Sequence, residues 1–418
     1  MTKSTSRLAL GALLMLGGAL AAVPADAKKA PPPPPAAPTV HQLTLSKEER
    51  AALVPIQTAI TAKDWAAASA ALPAAQAAAQ GPDAKYTLGQ FMLQIGIGTN
   101  SDAVQAQAVN MMISSGAAPA SNLVPLYSSQ GALGVRLRNY QVAEAGFAKV
   151  VELTPNDPNA LINLAKVEGD LRKPGEAIAL IDRAIQAKRA AGQPIEENWY
   201  KYALKLAYDN RLAAPSLKVS RDLIAAYPTK ENWRDALLIY RDLHTLDKGT
   251  NIDLMRLMRA SKALAGERDW FELAQELDMT GLPGEGKAVL EEGVSLHMID
   301  LTKGSFRDLM RAVSGRVAAD RAALPGLETR AMGAATGTMA LSTADAYYGY
   351  GDYAKAVPLY RAALSKGSVD ANAANLHLGM TLAAMGNRAE AEAAFRAVTG
   401  ARSEVASFWL TWLAQPHA

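Results

Sequence analysis

The chain has 418 residues, half of them apolar and a fifth charged, with 43 Lys and Arg against 40 Asp and Glu. Single hydrophobic cores stop growing near roughly 250–300 residues, so several domains or an elongated repeat array are the options. The near balance of charge gives no general nucleic-acid or membrane-surface signal, and the absence of cysteine excludes disulfides, thiolate metal sites, a thiol nucleophile and an N-terminal lipid-modified cysteine.

At the N-terminus, Lys3 and Arg7 precede the apolar run Leu8–Val23, and an Ala-x-Ala exit follows at Ala25-Asp26-Ala27. A positive start, an apolar run short for a bilayer span and a small-residue exit predict a secretory signal peptide over residues 1–27, cleaved after Ala27. The competing reading is a retained membrane anchor. Cleavage places the mature chain in the periplasm or outside the cell, and the absence of a twin arginine favours the general secretion route. No later stretch has the length and apolarity of a transmembrane segment. The proline run that follows, within residues 28–42, favours extended polyproline II and reads as a spacer. A Pro-rich docking ligand is the sharper alternative.

From Leu43 onward, helical patterns of roughly 12 to 15 residues alternate with short breaks carrying Gly, Pro, Asn or Asp, as antiparallel helix hairpins do. Few stretches alternate as strands do, and the abundance of alanine suits close helix packing. The first units, Ala51–Ala75 and Ala103–Ser115, keep only the period. Tyr140, Ala143, Phe147 and Val150 then lie on one helix face, and Ala177, Ile181 and Ala184 repeat the last three 34 residues later. The words Glu197-Asn198-Trp199 and Glu231-Asn232-Trp233, each following a proline, are also 34 residues apart. They read as the openings of consecutive units, with Asn near a helix start and Trp packed between hairpins.

Further along, Trp270, Leu273, Ala274 and Leu277 share a face before a break at Gly281. Between Leu301 and Gly337 the chain is helical, but no unit boundaries can be placed. The last two units carry Ala344, Tyr347, Gly351, Tyr353, Ala356, Tyr360 and Ala363, then Leu378, Gly379, Leu382, Gly386, Ala391, Phe395 and Val398. This spacing resembles the tetratricopeptide repeat. The resemblance runs over about residues 43–400, and residues 401–418, bunching Phe408, Trp409, Leu410, Trp412 and Leu413, read as a C-terminal capping helix. The implied fold is all-α, a superhelical array of some ten antiparallel hairpins with a concave face. The implied function is a scaffold that binds a partner protein or an extended peptide on that face.

Gly281–Ala288 fits the Gly-x4-Gly-Lys frame of a phosphate loop, but a helix pattern precedes it and Ala288 stands where the magnesium-binding hydroxyl belongs. Pro283-Gly284-Glu285 repeats Pro174-Gly175-Glu176, so both are helix–helix turns. The five histidines are scattered without metal-ligand spacing. No nucleophile elbow or paired-carboxylate signature is present. The expectation is therefore no enzyme, no cofactor and no metal. The candidate partner contacts are Lys303, Arg307 and Arg311 at four-residue spacing, the upstream basic run with Arg256 and Arg259, and the tyrosines Tyr348 and Tyr350. An acidic partner segment is the functional reading of the basic residues, and a solvated helix face is the bland one. The expected partner is a protein or peptide and not a nucleic acid, with a structural or regulatory envelope subunit and a small-molecule carrier as alternatives. The oligomeric state is open. Alanine-rich composition and export together suggest a Gram-negative cell envelope.

Overall fold

The computed structural model describes residues 43–416, so the expected signal peptide and proline spacer lie outside the described residues. From Leu45 the chain is one compact unit, and among the described residues it is all helix and turn. The helices are α1 (Lys47–Thr61), α2 (Trp65–Ala78), α3 (Pro82–Gly98), α4 (Asp102–Ser114), α5 (Ala120–Arg136), α6 (Tyr140–Leu153), α7 (Pro158–Asp170), α8 (Pro174–Ala190), α9 (Glu197–Asp209) and α10 (Ala213–Ala226). They continue as α11 (Lys230–Leu243), α12 (Lys248–Ala260), α13 (Gly266–Met279), α14 (Pro283–Ser295), α15 (Gly304–Gly333), α16 (Thr338–Gly349), α17 (Tyr353–Lys366), α18 (Ala371–Ala384), α19 (Arg388–Arg396) and α20 (Ser403–Leu413).

Most of the array is built from antiparallel hairpins that pack on the next in line, from α1–α2 to α18–α19. One turn recurs. In eight hairpins a residue in the left-handed region follows the first helix, and the next N–H bonds back five residues at 2.8–2.9 Å, as from Asp64 to Ala59 and from Asn387 to Leu382. Glycine fills the left-handed position in the last three, Gly281, Gly351 and Gly386, whereas Lys63, Asn100, Arg138, Arg172 and Arg211 fill it in the first five. Side chains cap the second helix in the first three of these hairpins, α2, α4 and α6. Asp64 accepts from Ala67 N at 2.9 Å, and Asn139 accepts from Val142 N at 3.3 Å.

Small residues set the spacing within the hairpins. A Cβ on Gly134 of α5 would meet the Ala143 nitrogen of α6 at 2.6 Å. Phe147 and Val150 of α6 bury on the same side, and the 34-residue echo Ala177, Ile181 and Ala184 lies buried in α8. The two Glu-Asn-Trp words open α9 and α11 and are joined, since Asn232 Nδ2 donates to Glu197 Oε1 at 2.8 Å. Their tryptophans differ. Trp233 is buried, while Trp199 stays half-exposed under Lys188, whose ammonium lies 4.8 Å from the ring centroid.

The stretch without clear unit boundaries is a single helix, α15, of 30 residues, of which only Phe306, Val313, Leu324 and Ala331 are buried. Beyond it the array turns back on itself. α20 covers the end of α19, where Trp409 stacks on Phe395 at 5.7 Å, and its other side reaches α10, α11 and α12. Phe408 meets Tyr240 edge-on at 5.6 Å, and Trp233 Nε1 donates to Gln415 Oε1 at 3.2 Å. Gln415 Nε2 donates to the Ile224 carbonyl at 2.9 Å, and Arg221 Nη1 donates to Ser407 Oγ at 3.1 Å. The part from α10 to α20 is thus closed by the C-terminal segment. No helix among the described residues is long and apolar enough to cross a membrane.

Candidate functional site

α12 occupies the middle of the closed part. Ile252 to Met258, seven residues in succession, are all buried, so the helix has no solvent face over nearly two turns. Its apolar side chains Ile252, Leu254, Met255, Leu257 and Met258 join the main core. Asp253 and Arg256 lie on the same buried turns and must find partners there, because an unpaired buried charge is strongly unfavourable.

They find them on helices far along the chain. Arg256 grips Glu285 of α14 with two bonds, Nε to Oε1 at 2.9 Å and Nη2 to Oε2 at 2.6 Å. Its Nη1 donates to Asp253 Oδ1 at 3.0 Å, and its guanidinium lies 5.2 Å from the ring centroid of Tyr348 in α16. His377 of α18 lies between two carboxylates, Nε2 at 2.9 Å from Asp253 Oδ1 and Nδ1 at 2.7 Å from Asp345 Oδ1. With an acceptor at each ring nitrogen the imidazole is doubly protonated. Burial opposes that charge, but Asp345 and Asp253 together outweigh it and push the pKa up to about 10. Burial likewise opposes ionisation of Asp253, and His377, Arg256 and Arg402 outweigh it to hold the carboxyl at about 2. Tyr360 donates to Asp345 at 2.7 Å, and Arg402, in the 3-10 turn Gly400–Arg402 before α20, closes the network against Asp253, Asp247 and Asp370.

This geometry sorts the basic and aromatic residues proposed from sequence. Arg256 is a correction: expected on an open face, it is 4 % exposed, and its guanidinium is fully engaged inside the chain. Arg259 emerges further and pairs with Glu292 at 2.6 Å. Lys303 pairs with Glu267. Tyr348 is half-buried beneath Arg256, and burial, then Glu285, pushes its hydroxyl pKa up. Tyr350 is also half-buried, donating to Asp320 Oδ2 at 2.6 Å with Arg321 over its ring. Arg307 and Arg311 have the most exposed side chains of the seven, 56 % and 74 % against 50 % for Lys303, with Asp308 as their common ion-pair partner. In the sequence, His377 is one of five scattered histidines without metal-ligand spacing. Its partners lie 124 and 32 residues away, so no local pattern marks it.

Residues 373–404, covering most of α18, all of α19 and the turn into α20, match the tetratricopeptide repeat family model. Similar solved structures include the MamA protein, 14% identical over 47% of this chain and 95% of that one, with a TM-score of 0.28. PilF of Pseudomonas aeruginosa is 13% identical over 56% and 92% of the two chains, with a TM-score of 0.26. A tetratricopeptide repeat protein from Parabacteroides merdae is 10% identical over 64% and 100%, with a TM-score of 0.29. With scores this low, the fold assignment rests on the chain's own hairpins and the matched repeat. No curated protein matches the sequence.

Proposed function

We propose that this chain is an exported, non-catalytic scaffold of the bacterial cell envelope that recruits a partner protein through an acidic segment. A tetratricopeptide array is a protein-interaction fold, and its repeat motif specifies structure without specifying the ligand. The sequence places export at residues 1–27 and a spacer before the folded body. The observation that carries the reading is the division among the candidate cations. Arg256 is consumed by the network around α12, whereas Arg307 and Arg311 are exposed on α15, a helix of 30 residues with four buried, and share the single exposed carboxylate of Asp308. α12 occupies the inner side of α14, α16 and α18 and leaves only a small cavity there, so the partner contact in this part lies on the outside of α15. Exposed arginines attract an acidic segment and speed its encounter more than they tighten the final complex.

The test is crosslinking of the tagged chain in its own host, with captured proteins identified and quantified by mass spectrometry. One or two proteins at stable ratios, lost from the double variant Arg307→Glu/Arg311→Glu while the fold persists, is the expected result. Capture that is unchanged in the variant removes α15 as the contact, and a reproducible blank with folded protein removes the stable complex.

A further inference from the structure

A cavity of about 370 Å³ lies beside α12, at the lower end of the size range for small-molecule sites, and α12, the α13–α14 turn, α15, α16, α18 and Arg402 converge on it. Two atoms in its wall lack hydrogen-bond partners although buried: Asp253 Oδ2, on a side chain 1 % exposed, and Arg402 Nε. They face each other at 3.5 Å, beyond a good hydrogen bond. Asp345 takes its bonds from Tyr360 and His377 on Oδ1, leaving Oδ2 for a further donor. Exposed Ser342 lines the cavity, its hydroxyl donating to the Met339 carbonyl at 3.2 Å, and Leu282 and Leu327 give the cavity an apolar wall.

We infer that this cavity binds a small neutral polyhydroxy compound, such as a monosaccharide or an acyclic polyol. Asp253 Oδ2 only accepts and Arg402 Nε only donates, so one group that both donates and accepts satisfies the two at once, and a hydroxyl does. A ligand carboxylate placed there faces Asp253, and an ammonium faces Arg402, so each charged class is repelled by one member of the pair. A second hydroxyl reaches toward Asp345, while the C–H face of the ligand lies on Leu282 and Leu327. This inference goes beyond the scaffold reading and is independent of Arg307 and Arg311.

Saturation-transfer NMR on the full chain with glucose, sorbitol and maltotriose, against lysine, glutamate and phosphate, tests it. The expected result is saturable transfer to the neutral compounds only, abolished by Ser342→Trp, which fills the cavity from an exposed position outside the ion network. Thermal unfolding of that variant checks that the fold persists. Stronger transfer to maltotriose than to glucose identifies the end of a glycan chain as the source, and equal transfer identifies the free sugar. No saturable signal from any neutral compound, equal binding in the Ser342→Trp protein, or tighter binding of a charged comparator overturns the assignment and leaves a water-filled cleft.

Discussion

Arg256→Met tests whether the network around α12 holds the closed part together. The substitution keeps the aliphatic bulk and deletes three bonds, two to Glu285 and one to Asp253. Asp253 retains His377 at 2.9 Å, but Glu285, only 2 % exposed, loses its one ion-pair partner among the described residues. Stranding one member of a buried pair costs about 3–5 kcal/mol, whereas replacing both members by apolar residues of similar volume is often neutral or stabilising. Arg256→Met should therefore lower the opening free energy of α12 by about 3–5 kcal/mol, and Arg256→Met/Glu285→Leu should restore most of it. Long repeat arrays do not unfold in a single step, so a global midpoint is the wrong readout. Hydrogen exchange of peptides covering residues 248–260, compared with peptides from α3, reads the local opening directly. The reasoning fails if protection in α12 drops by less than about 1 kcal/mol in the single variant, or if the double variant is as damaged as the single.

The same network sets limits on both sides of neutrality. His377 has a folded pKa of about 10 against an ordinary 6.5, so its contribution is complete below 6.5 and is lost as pH rises through 10. Asp253, held at about 2 against an ordinary 3.8, contributes above 3.8 and loses that contribution as pH falls toward 2. Protection of the α12 peptides in hydrogen exchange, corrected for the intrinsic pH dependence of exchange, should fall at both extremes, and an alkaline limb unchanged by His377→Gln assigns the loss to other groups. Arg138→Gly, at φ 57° on an exposed hairpin turn, should stabilise its hairpin by about 0.5–1 kcal/mol, because the strain of a left-handed non-glycine residue exceeds the added freedom of glycine in the unfolded chain. Gly146→Ala, whose new Cβ would lie 2.6 Å from the Gly131 nitrogen and 2.8 Å from the Tyr127 carbonyl, should destabilise by about 1–3 kcal/mol in local hydrogen exchange of α5 and α6. Arg307→Glu/Arg311→Glu should leave hydrogen-exchange protection of α14 and α15 unchanged, since surface substitutions of this kind stay within about 0.5 kcal/mol.

The helix hairpins were legible wherever the chain used the residue that the turn geometry favours. Gly281, Gly351 and Gly386 mark their turns, and the units read most clearly lie around them. The same turn is built on Lys63 and Asn100 in the first two hairpins, where they carry no breaker signal and only the period survives; around Arg138 and Arg172 the helix faces Tyr140–Val150 and Ala177–Ala184 carried the reading instead. The opposite confusion hid α15. Gly315, Gly326 and Pro325 look like breaks, yet the two glycines meet no neighbour within 4 Å and the proline lies inside the helix. The buried site was less legible still. Asn251–Ala260 reads as a basic amphipathic helix, with Arg256 and Arg259 on a polar stripe. What makes Arg256 a core residue is Glu285 on another helix, and no periodicity within α12 records it.

Closure has a consequence for how such a chain can work. An open array leaves an apolar face at its last repeat and an inner face for a ligand, and a capping helix solves only the first problem. Here α20 does both: Phe408, Trp409 and Leu413 bury against α19 and α11, and Arg402 with Gln415 ties the same segment to α12 and α10. Burying those three side chains contributes roughly 1.5–3 kcal/mol each, more than the few polar bonds that accompany them. Most of the inner face is then core, and on the scaffold reading a partner meets a pre-shaped exterior instead of a groove that must open. Recognition by a rigid exterior needs little rearrangement of the scaffold, so the ordering cost falls on the partner segment. On the scaffold reading proposed above, such a chain discriminates by the charge it presents outside, and the exposed arginines of α15 are the residues whose reversal tests it.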